Sequence, residues 1–243
     1  MKVFSNRSLL ITRPLSESLA FSENIKKLNK SINTICSPLF EIENFLINHD
    51  VSQIRGAIVT SSNAIKSLVQ SQIRFECPVF CVGNSTALSA KKAGYNPISS
   101  NGNTYHLYEL IQNLVSSGTE QLIYFRGEEI VGDLGRALRE KNYIVDEVIC
   151  YRKLPRDIPR KTISDIESGL IAGATFFSNQ TVSLFSNQVK CIPDGFVAFC
   201  ISEEVSRTLL NYYPKKNLSL RVASSPSMIE MSKLVVAASE FAA

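Results

Sequence analysis

The residues of this chain that could do chemistry are short polar clusters, each following an apolar run. Gly56–Ala64, GAIVTSSNA, is the clearest: an apolar run at Ala57–Thr60 leads into Ser61, Ser62 and Asn63, all good helix N-cap types. A helix N-terminus left open there points its free N–H groups at whatever sits above the run, and anions suit that place. The same text returns at Gly173–Val182, GATFFSNQTV. Further clusters are Thr12-Arg13, Gly83-Asn84-Ser85-Thr86, Ser99-Ser100, Arg126-Gly127, Ser178-Asn179, Ser202 and Ser224-Ser225. They offer hydroxyls, backbone amides and two arginines, with no carboxylate pair, histidine base or activated cysteine. Small residues let amides approach an anion closely. The chemistry expected is therefore binding through many amides and hydroxyls. Any one of these residues is accounted for as a helix cap; the signal is in the set.

Tyr151 stands apart, beside Arg152 and Lys153. It reads either as an exposed tyrosine or as a phenol facing a cleft, able to donate to a leaving hydroxyl or an anion. The run Arg152, Lys153, Arg156, Arg160, Lys161 with Asp157 and Asp165 reads as a solvated linker. Gly83-Asn84-Ser85-Thr86 lacks the later glycines of a dinucleotide loop, and the chain has neither the G-K-[ST] of a phosphate loop nor a G-x-S-x-G elbow.

Those clusters need strands and helices to hold them. Strands are expected at Leu9–Thr12, Ile32–Cys36, Ala57–Thr60, Pro78–Val82, Pro97–Ser99, Gln121–Phe125, Ile144–Cys150, Ala174–Phe177, Val197–Ile201 and Leu218–Val222. Helices follow most of them. Ser16 is expected to cap the first, about Glu17–Asn29, and Thr104 to cap one reaching Ser116. Phe40–Glu43 and Tyr151–Pro155 read as ribbon extensions. Strands alternating with helices imply parallel sheets, with ligands beyond the strands' carboxyl ends. The motifs also recur in order: Cys36 and Cys150, Ala57 and Ala174, Cys81 and Cys200 lie 114, 117 and 119 residues apart, which points to an internal duplication.

Composition bounds the rest. The 243 residues are 44% hydrophobic with a net charge of +4, enough for one or two ordinary cores and no nucleic-acid footprint. No apolar run approaches a membrane span, and the N-terminal apolar run is too short for a signal peptide. The six cysteines form no C-x-x-C and read as reduced, buried thiols of a cytoplasmic protein; His49 and His106 have no partner at ligand spacing, so no metal is expected. The final stretch, Val235–Ala243, reads as a helix end and a frayed tail.

Taken together, LLITRP at Leu9–Pro14, IVTSSNAI at Ile58–Ile65, VGNSTA at Val82–Ala87, IYFRGE at Ile123–Glu128, VICYR at Val148–Arg152, TFFSN at Thr175–Asn179 and ASSPS at Ala223–Ser227 resemble the uroporphyrinogen-III synthase family across nearly the whole chain. The resemblance implies two similar parallel-sheet α/β domains joined by a two-stranded antiparallel ribbon, with a cleft between them. It implies exchanged segments: residues 1–37 with 155–243, residues 46–146, and a linker of 38–45 with 147–154. It further implies cyclisation of hydroxymethylbilane, a small polycarboxylate, with inversion of the last pyrrole and loss of water, without cofactor. The sequence shows no long exposed apolar stripe, so a monomer is expected. Carried over by position, Tyr151 is the implied catalytic residue. Arg13, Thr60, Ser61, Ser62, Gly83, Thr86, Arg126, Gly127, Ser178 and Ser225 are the implied substrate-binding set. The second glycine–threonine turn reads Ser202-Glu203-Glu204-Val205 here, so Ser202 is not expected as a contact, because two carboxylates repel a polyanion unless they point away. Asn142 stands where glycine is usual. Two rivals remain: a non-catalytic two-lobed module for an anionic metabolite, and a two-lobed sugar-phosphate or nucleotide enzyme. The second needs a phosphate-gripping loop that the sequence lacks.

Overall fold

The computed structural model describes residues 4, 6–130, 132–214 and 218–240. In chain order the elements are β1 (Ser8–Ile11), α1 (Leu15–Leu28), β2 (Asn33–Cys36), β3 (Phe40–Asn44), β4 (Gly56–Val59), α2 (Ser62–Gln70), β5 (Pro78–Cys81), α3 (Asn84–Lys92), β6 (Asn96–Ser99), α4 (Thr104–Leu114), β7 (Gln121–Gly127), α5 (Leu134–Arg139), β8 (Ile144–Pro155), α6 (Arg160–Glu167), β9 (Ile171–Phe176), α7 (Asn179–Gln188), β10 (Val197–Cys200), α8 (Glu203–Tyr212), β11 (Ser219–Val222) and α9 (Met228–Glu240). The fold is α/β, with two sheets of mostly parallel strands. Contacts divide the chain into two compact units, Met1–Glu41 with Pro155–Ala243, and Ile42–Leu154.

The first unit holds a five-stranded sheet in the order β11-β10-β9-β1-β2, with every pairing parallel. Leu10, Phe176 and Phe185 pack on one face; Leu9, Ile11, Phe21 and Phe199 pack on the other. A sheet covered on both faces explains why its strands read as unbroken apolar runs. The second unit holds six strands in the order β3-β8-β7-β4-β5-β6. Ala57, Val59 and Phe125 face one core layer, and Ile58, Phe80 and Leu122 the other. At the edge, Phe45 N–H reaches Cys150 O and Arg156 N–H reaches Leu39 O, so the partner number falls as the other rises and β3 runs antiparallel to β8.

Paired by the sequence duplication, the two sheets have one spatial order: β2-β1-β9-β10-β11 matches β8-β7-β4-β5-β6. Each half of the repeat has traded its opening strand–helix–strand. β1 from the first half lies beside β9 from the second, Leu10 opposite Ala174; β7 from the second lies beside β4 from the first, Ile123 opposite Ala57. Sequence repeat and compact unit therefore do not coincide.

Three local expectations are corrected. Helix α1 begins at Leu15 behind Pro14 rather than behind Ser16, and Pro14 makes no side-chain cap bond. The fixed φ of proline preorganises the first turn, and the Pro14 carbonyl takes the Glu17 and Ser18 N–H groups. The cap of α4 is Asn103, not Thr104: its side chain accepts from the Tyr105 and His106 N–H groups at 2.9 and 3.2 Å, and His106 Nδ1 accepts from the Asn103 N–H at 3.3 Å. This capping box gives His106 a structural task. Arg160–Glu167, expected as part of a solvated linker, is helix α6; Ile163 and Ile166 pack into the core while Lys161 and Asp165 pair on the outer face at 2.7 Å. Asn142 closes the turn after α5 with φ of 64°, the left-handed conformation that glycine usually supplies. In the C-terminal stretch, α9 runs through residue 240, and residues 241–243 lie outside those described. No helix among the described residues is long and apolar enough to cross a membrane.

All six cysteines are free thiols. Burial pushes Cys81, Cys150 and Cys200 up to about 12, and raises Cys36 and Cys77. The thiolate is the reactive form. Native protein held with iodoacetamide at mildly alkaline pH is therefore expected to be alkylated first at exposed Cys191, more slowly at half-buried Cys36 and Cys77, and at Cys81, Cys150 and Cys200 only after denaturant is added. Mass spectrometry of the peptides reads this directly; early labelling of Cys81, Cys150 or Cys200 would contradict it.

Candidate functional site

In a parallel sheet the strand order reverses at one place, where the following helices cover opposite faces, and ligands bind beyond the carboxyl ends there. In the second unit that place is between β4 and β7, because α2 packs on one core layer and α5 on the other. β4 delivers Thr60, Ser61 and Ser62; β7 delivers Arg126 and Gly127. Ser61 is the N-cap of α2, and its Oγ accepts the Asn63 N–H at 3.2 Å. α3 starts behind Gly83, which has no side chain to cap the helix and open space where a Cβ would be. Its first amides are thus left to solvent or a ligand. Thr86, in the first turn of α3, is 7% exposed.

Tyr151 reaches this place through an irregularity. β7 and β8 pair in step as far as Arg126 and Ile149, and then Gly127 pairs with Tyr151, which leaves Cys150 as an extra residue. Such a bulge breaks the alternation of side chains and re-aims those beyond it. Cys150 and Tyr151 are accordingly both buried, in the same core layer. The Cys150 carbonyl is held by the Ser67 hydroxyl at 2.6 Å and the Phe45 N–H at 2.7 Å. The Tyr151 ring lies on Gly127, where a Cβ would meet its Cζ at 2.8 Å and its Oη at 3.0 Å. Its phenol bonds the Ser61 side chain; burial raises the pKa of Tyr151, and the Ser61 bond lowers it in part. Tyr151 is thus not an exposed ribbon tyrosine: it is 8% exposed at the N-terminus of α2.

Arg126 is tied inward. It pairs with Glu147, which also takes Arg139 at 2.7 Å, and its Nη1 donates to the Gly127 and Glu128 carbonyls at 2.9 and 3.3 Å. It shapes the turn that carries Gly127. Reading the sequence missed Glu147, and it missed Tyr124, whose phenol meets Thr60 Oγ1 at 3.1 Å. The available signal was a tyrosine in an otherwise apolar strand, since a buried phenol needs a partner.

In the first unit the corresponding place lies between β1 and β9. Thr12 Oγ1 donates to the Thr175 carbonyl at 2.7 Å, which locks the two strand ends together. Arg13 pairs with Glu17 and lies 4.3 Å over the Phe177 ring. Ser178 caps α7, accepting the Thr181 N–H at 3.2 Å. Ser225 is exposed in the loop before α9. Ser202 caps α8 by accepting the Val205 N–H, and Glu204 accepts from the Asn179 side chain at 2.7 Å. Carboxylates in a first helical turn suit the helix dipole. Among the described residues no three His, Cys, Asp or Glu side chains gather as metal ligands would.

The family model described as uroporphyrinogen-III synthase HemD matches residues 20–230. No curated protein matches the chain. Among solved structures, uroporphyrinogen-III synthetase from Helicobacter pylori 26695 is similar, with a TM-score of 0.64 and 15% identity over 95% of this chain and 99% of that one. A mutant uroporphyrinogen III synthase from the extremely thermophilic bacterium Thermus thermophilus aligns with a TM-score of 0.59 and 15% identity, over 96% and 99% of the two chains. At such identity these two likenesses speak for the fold; the family model speaks for the membership.

Proposed function

The chain belongs to the uroporphyrinogen-III synthase family, and from that premise we propose that Tyr151 is the proton donor to the hydroxyl that leaves. The chain is accordingly a lyase of tetrapyrrole biosynthesis. The observation that carries the assignment of Tyr151 is its place: a buried phenol, aimed by a bulge at the end of β4 and bonded to the N-cap of α2.

In this reading the Tyr151 O–H protonates the departing hydroxyl of hydroxymethylbilane as the C–O bond breaks. The bond's electron pair leaves in water, and the neighbouring pyrrole nitrogen feeds its lone pair to the carbon, which gives an azafulvene cation beside a phenolate. The substituted carbon of the last ring attacks that cation and forms a spiro intermediate, whose rearrangement inverts the ring. Loss of a ring proton to the phenolate restores Tyr151. The sequence is a dehydration with no change of oxidation state, and the cation is intrinsically reactive. Most of the catalysis is then positioning. Thr60, Ser61, Ser62, Gly83, Thr86, Gly127, Ser178 and Ser225 are read as holding substrate carboxylates through hydroxyls and amides. Arg126 and Arg13 act from behind, since their guanidinium groups are engaged by Glu147 and Glu17. We further read residues 38–45 and 147–154 as the linker and the protein as a cytoplasmic monomer that does not bind nucleic acid.

The decisive experiment is product analysis. Purified protein incubated with fresh hydroxymethylbilane is expected to give an excess of the type III isomer over a protein-free control, in which unassisted closure gives type I. Only type I from folded protein would refute the reading. Glu204→Gln removes an exposed negative charge near the Ser178 cap. It is expected to lower KM by about two- to threefold with kcat unchanged, the scale of one exposed charge interaction. An unchanged KM would mean that no substrate carboxylate comes near that helix end.

A further inference from the structure

We propose that Tyr124 is a positioning residue for this reaction: its buried phenol donates to Thr60 Oγ1, so that the Thr60 hydroxyl proton is turned outward to a substrate carboxylate. The proposal rests on the reading of Thr60 as a carboxylate-binding hydroxyl. Tyr124 is 4% exposed and sits among Ile58, Phe80, Leu107 and Leu122. A donor in such a layer must be satisfied, because leaving it bare costs roughly 1–3 kcal/mol. Thr60 Oγ1, at 3.1 Å, is the partner the fold supplies. Burial raises the pKa of Tyr124, so the phenol keeps its proton at neutral pH. A phenol is also the better acid of the two groups and so the better donor. A threonine oxygen that accepts on the inner side has its single proton left for the outer side.

The neighbouring hydroxyl is also paired with a phenol: Ser61 Oγ accepts the Asn63 N–H at 3.2 Å, and the buried Tyr151 phenol bonds the Ser61 side chain. Two phenol–hydroxyl pairs thus stand on adjacent residues of one strand end.

The test is steady-state kinetics with hydroxymethylbilane. Tyr124→Phe and Thr60→Val are each expected to raise KM about five- to tenfold, the worth of one ordinary hydrogen bond, with kcat within about twofold. The double variant is expected to be no worse than either single one, because the two groups act as one unit. Thr60→Ser keeps the hydroxyl and should keep KM near the parent value, which covers the case in which Tyr124→Phe folds poorly. The control is Tyr143→Phe. Tyr143 lies in the same apolar layer and donates to the Val115 carbonyl at 3.3 Å, so it tests burial without the Thr60 contact. An unchanged KM in Tyr124→Phe, effects that multiply in the double variant, or an equal KM rise in Tyr143→Phe would each overturn the proposal. The unsubstituted protein is run alongside: failure to make type III there refutes the functional reading, whereas type III with an unaffected Tyr124→Phe refutes only this inference.

Discussion

Gly173→Ala is expected to leave the first unit unable to hold its sheet, with a loss of about 3–5 kcal/mol and little soluble protein. Gly173 lies where β9 carries an extra residue against β1: Ser8 pairs with Ile171, and Leu9 with Gly173. On its other side it pairs with Val197 of β10, and a Cβ would collide with the Val197 carbonyl oxygen and stand 3.1 Å from its carbon. Side chains at a tight contact can turn aside, but a backbone carbonyl in a central ladder cannot move without giving up hydrogen bonds to its neighbours. A loss of that size is a large part of the roughly 5–15 kcal/mol that usually holds a domain together. Gly83→Ala is the matching control for stability. That residue is extended, with open space around the would-be Cβ, so its melting temperature is expected to stay within about 2 °C of the parent. Urea or thermal melts followed by circular dichroism decide the matter; equal melting of Gly173→Ala and the parent would show that β9 and β10 can part without cost.

Much of this architecture was legible in the sequence for a plain reason: each strand of a two-faced sheet is a short apolar run, and each run stops at Ser, Thr, Asn or Gly. The duplication was legible as well, because Ala57 and Ala174, or Cys81 and Cys200, keep their spacing from strand to strand. The exchange of opening segments had to be taken from the family resemblance, since a repeat states which segments are alike and says nothing about which pair. What stayed hidden depends on single tertiary contacts. Asn103 caps α4 because His106 reciprocates, and Thr104 would have served by type alone. Helix α6 was lost among its charges, because only Ile163 and Ile166 declare a buried face.

The candidate site divides along the same line. Thr60, Ser61, Gly83 and Ser178 could be named as candidates because ligands of this fold class bind beyond strand ends. The bulge that aims Tyr151 inward has no local signature, for Ile149-Cys150-Tyr151 reads as a regular strand. The partners of Arg126 and Thr60, which are Glu147 and Tyr124, lie 21 and 64 residues away and come together only through pairing with β7. Chemistry-bearing residues were thus readable one by one, whereas the contacts that orient them were not.

Tyr151→Phe is expected to lower kcat by about 10²-fold with KM within about threefold. Removal of a general acid costs at least that much when the leaving group is poor, and the low end applies because the azafulvene cation is reactive in itself. The substitution keeps the ring that lies on Gly127 and removes only the oxygen, so the fold is spared and the loss falls on the chemical step. Slower release of the hydroxyl lets unassisted closure compete, and the type I fraction should rise as turnover falls. The pH profile gives an independent check. Burial raises the pKa of the phenol, so its proton is in place through neutral and mildly alkaline pH. The parent rate should fall through this group only above the ordinary tyrosine value of about 10. The same sign holds for stability: the neutral buried phenol contributes fully below that ordinary value, and the contribution is lost as pH rises through the higher folded one. Tyr151→Phe should lack that alkaline decline in rate. Gly127→Val approaches the same phenol by a different route, since its side chain would displace the ring, and it should lose both rate and isomer selectivity. If Tyr151→Phe turns over at the parent rate, the phenol has no part in the departure of water; family membership stands, and positioning alone must account for catalysis.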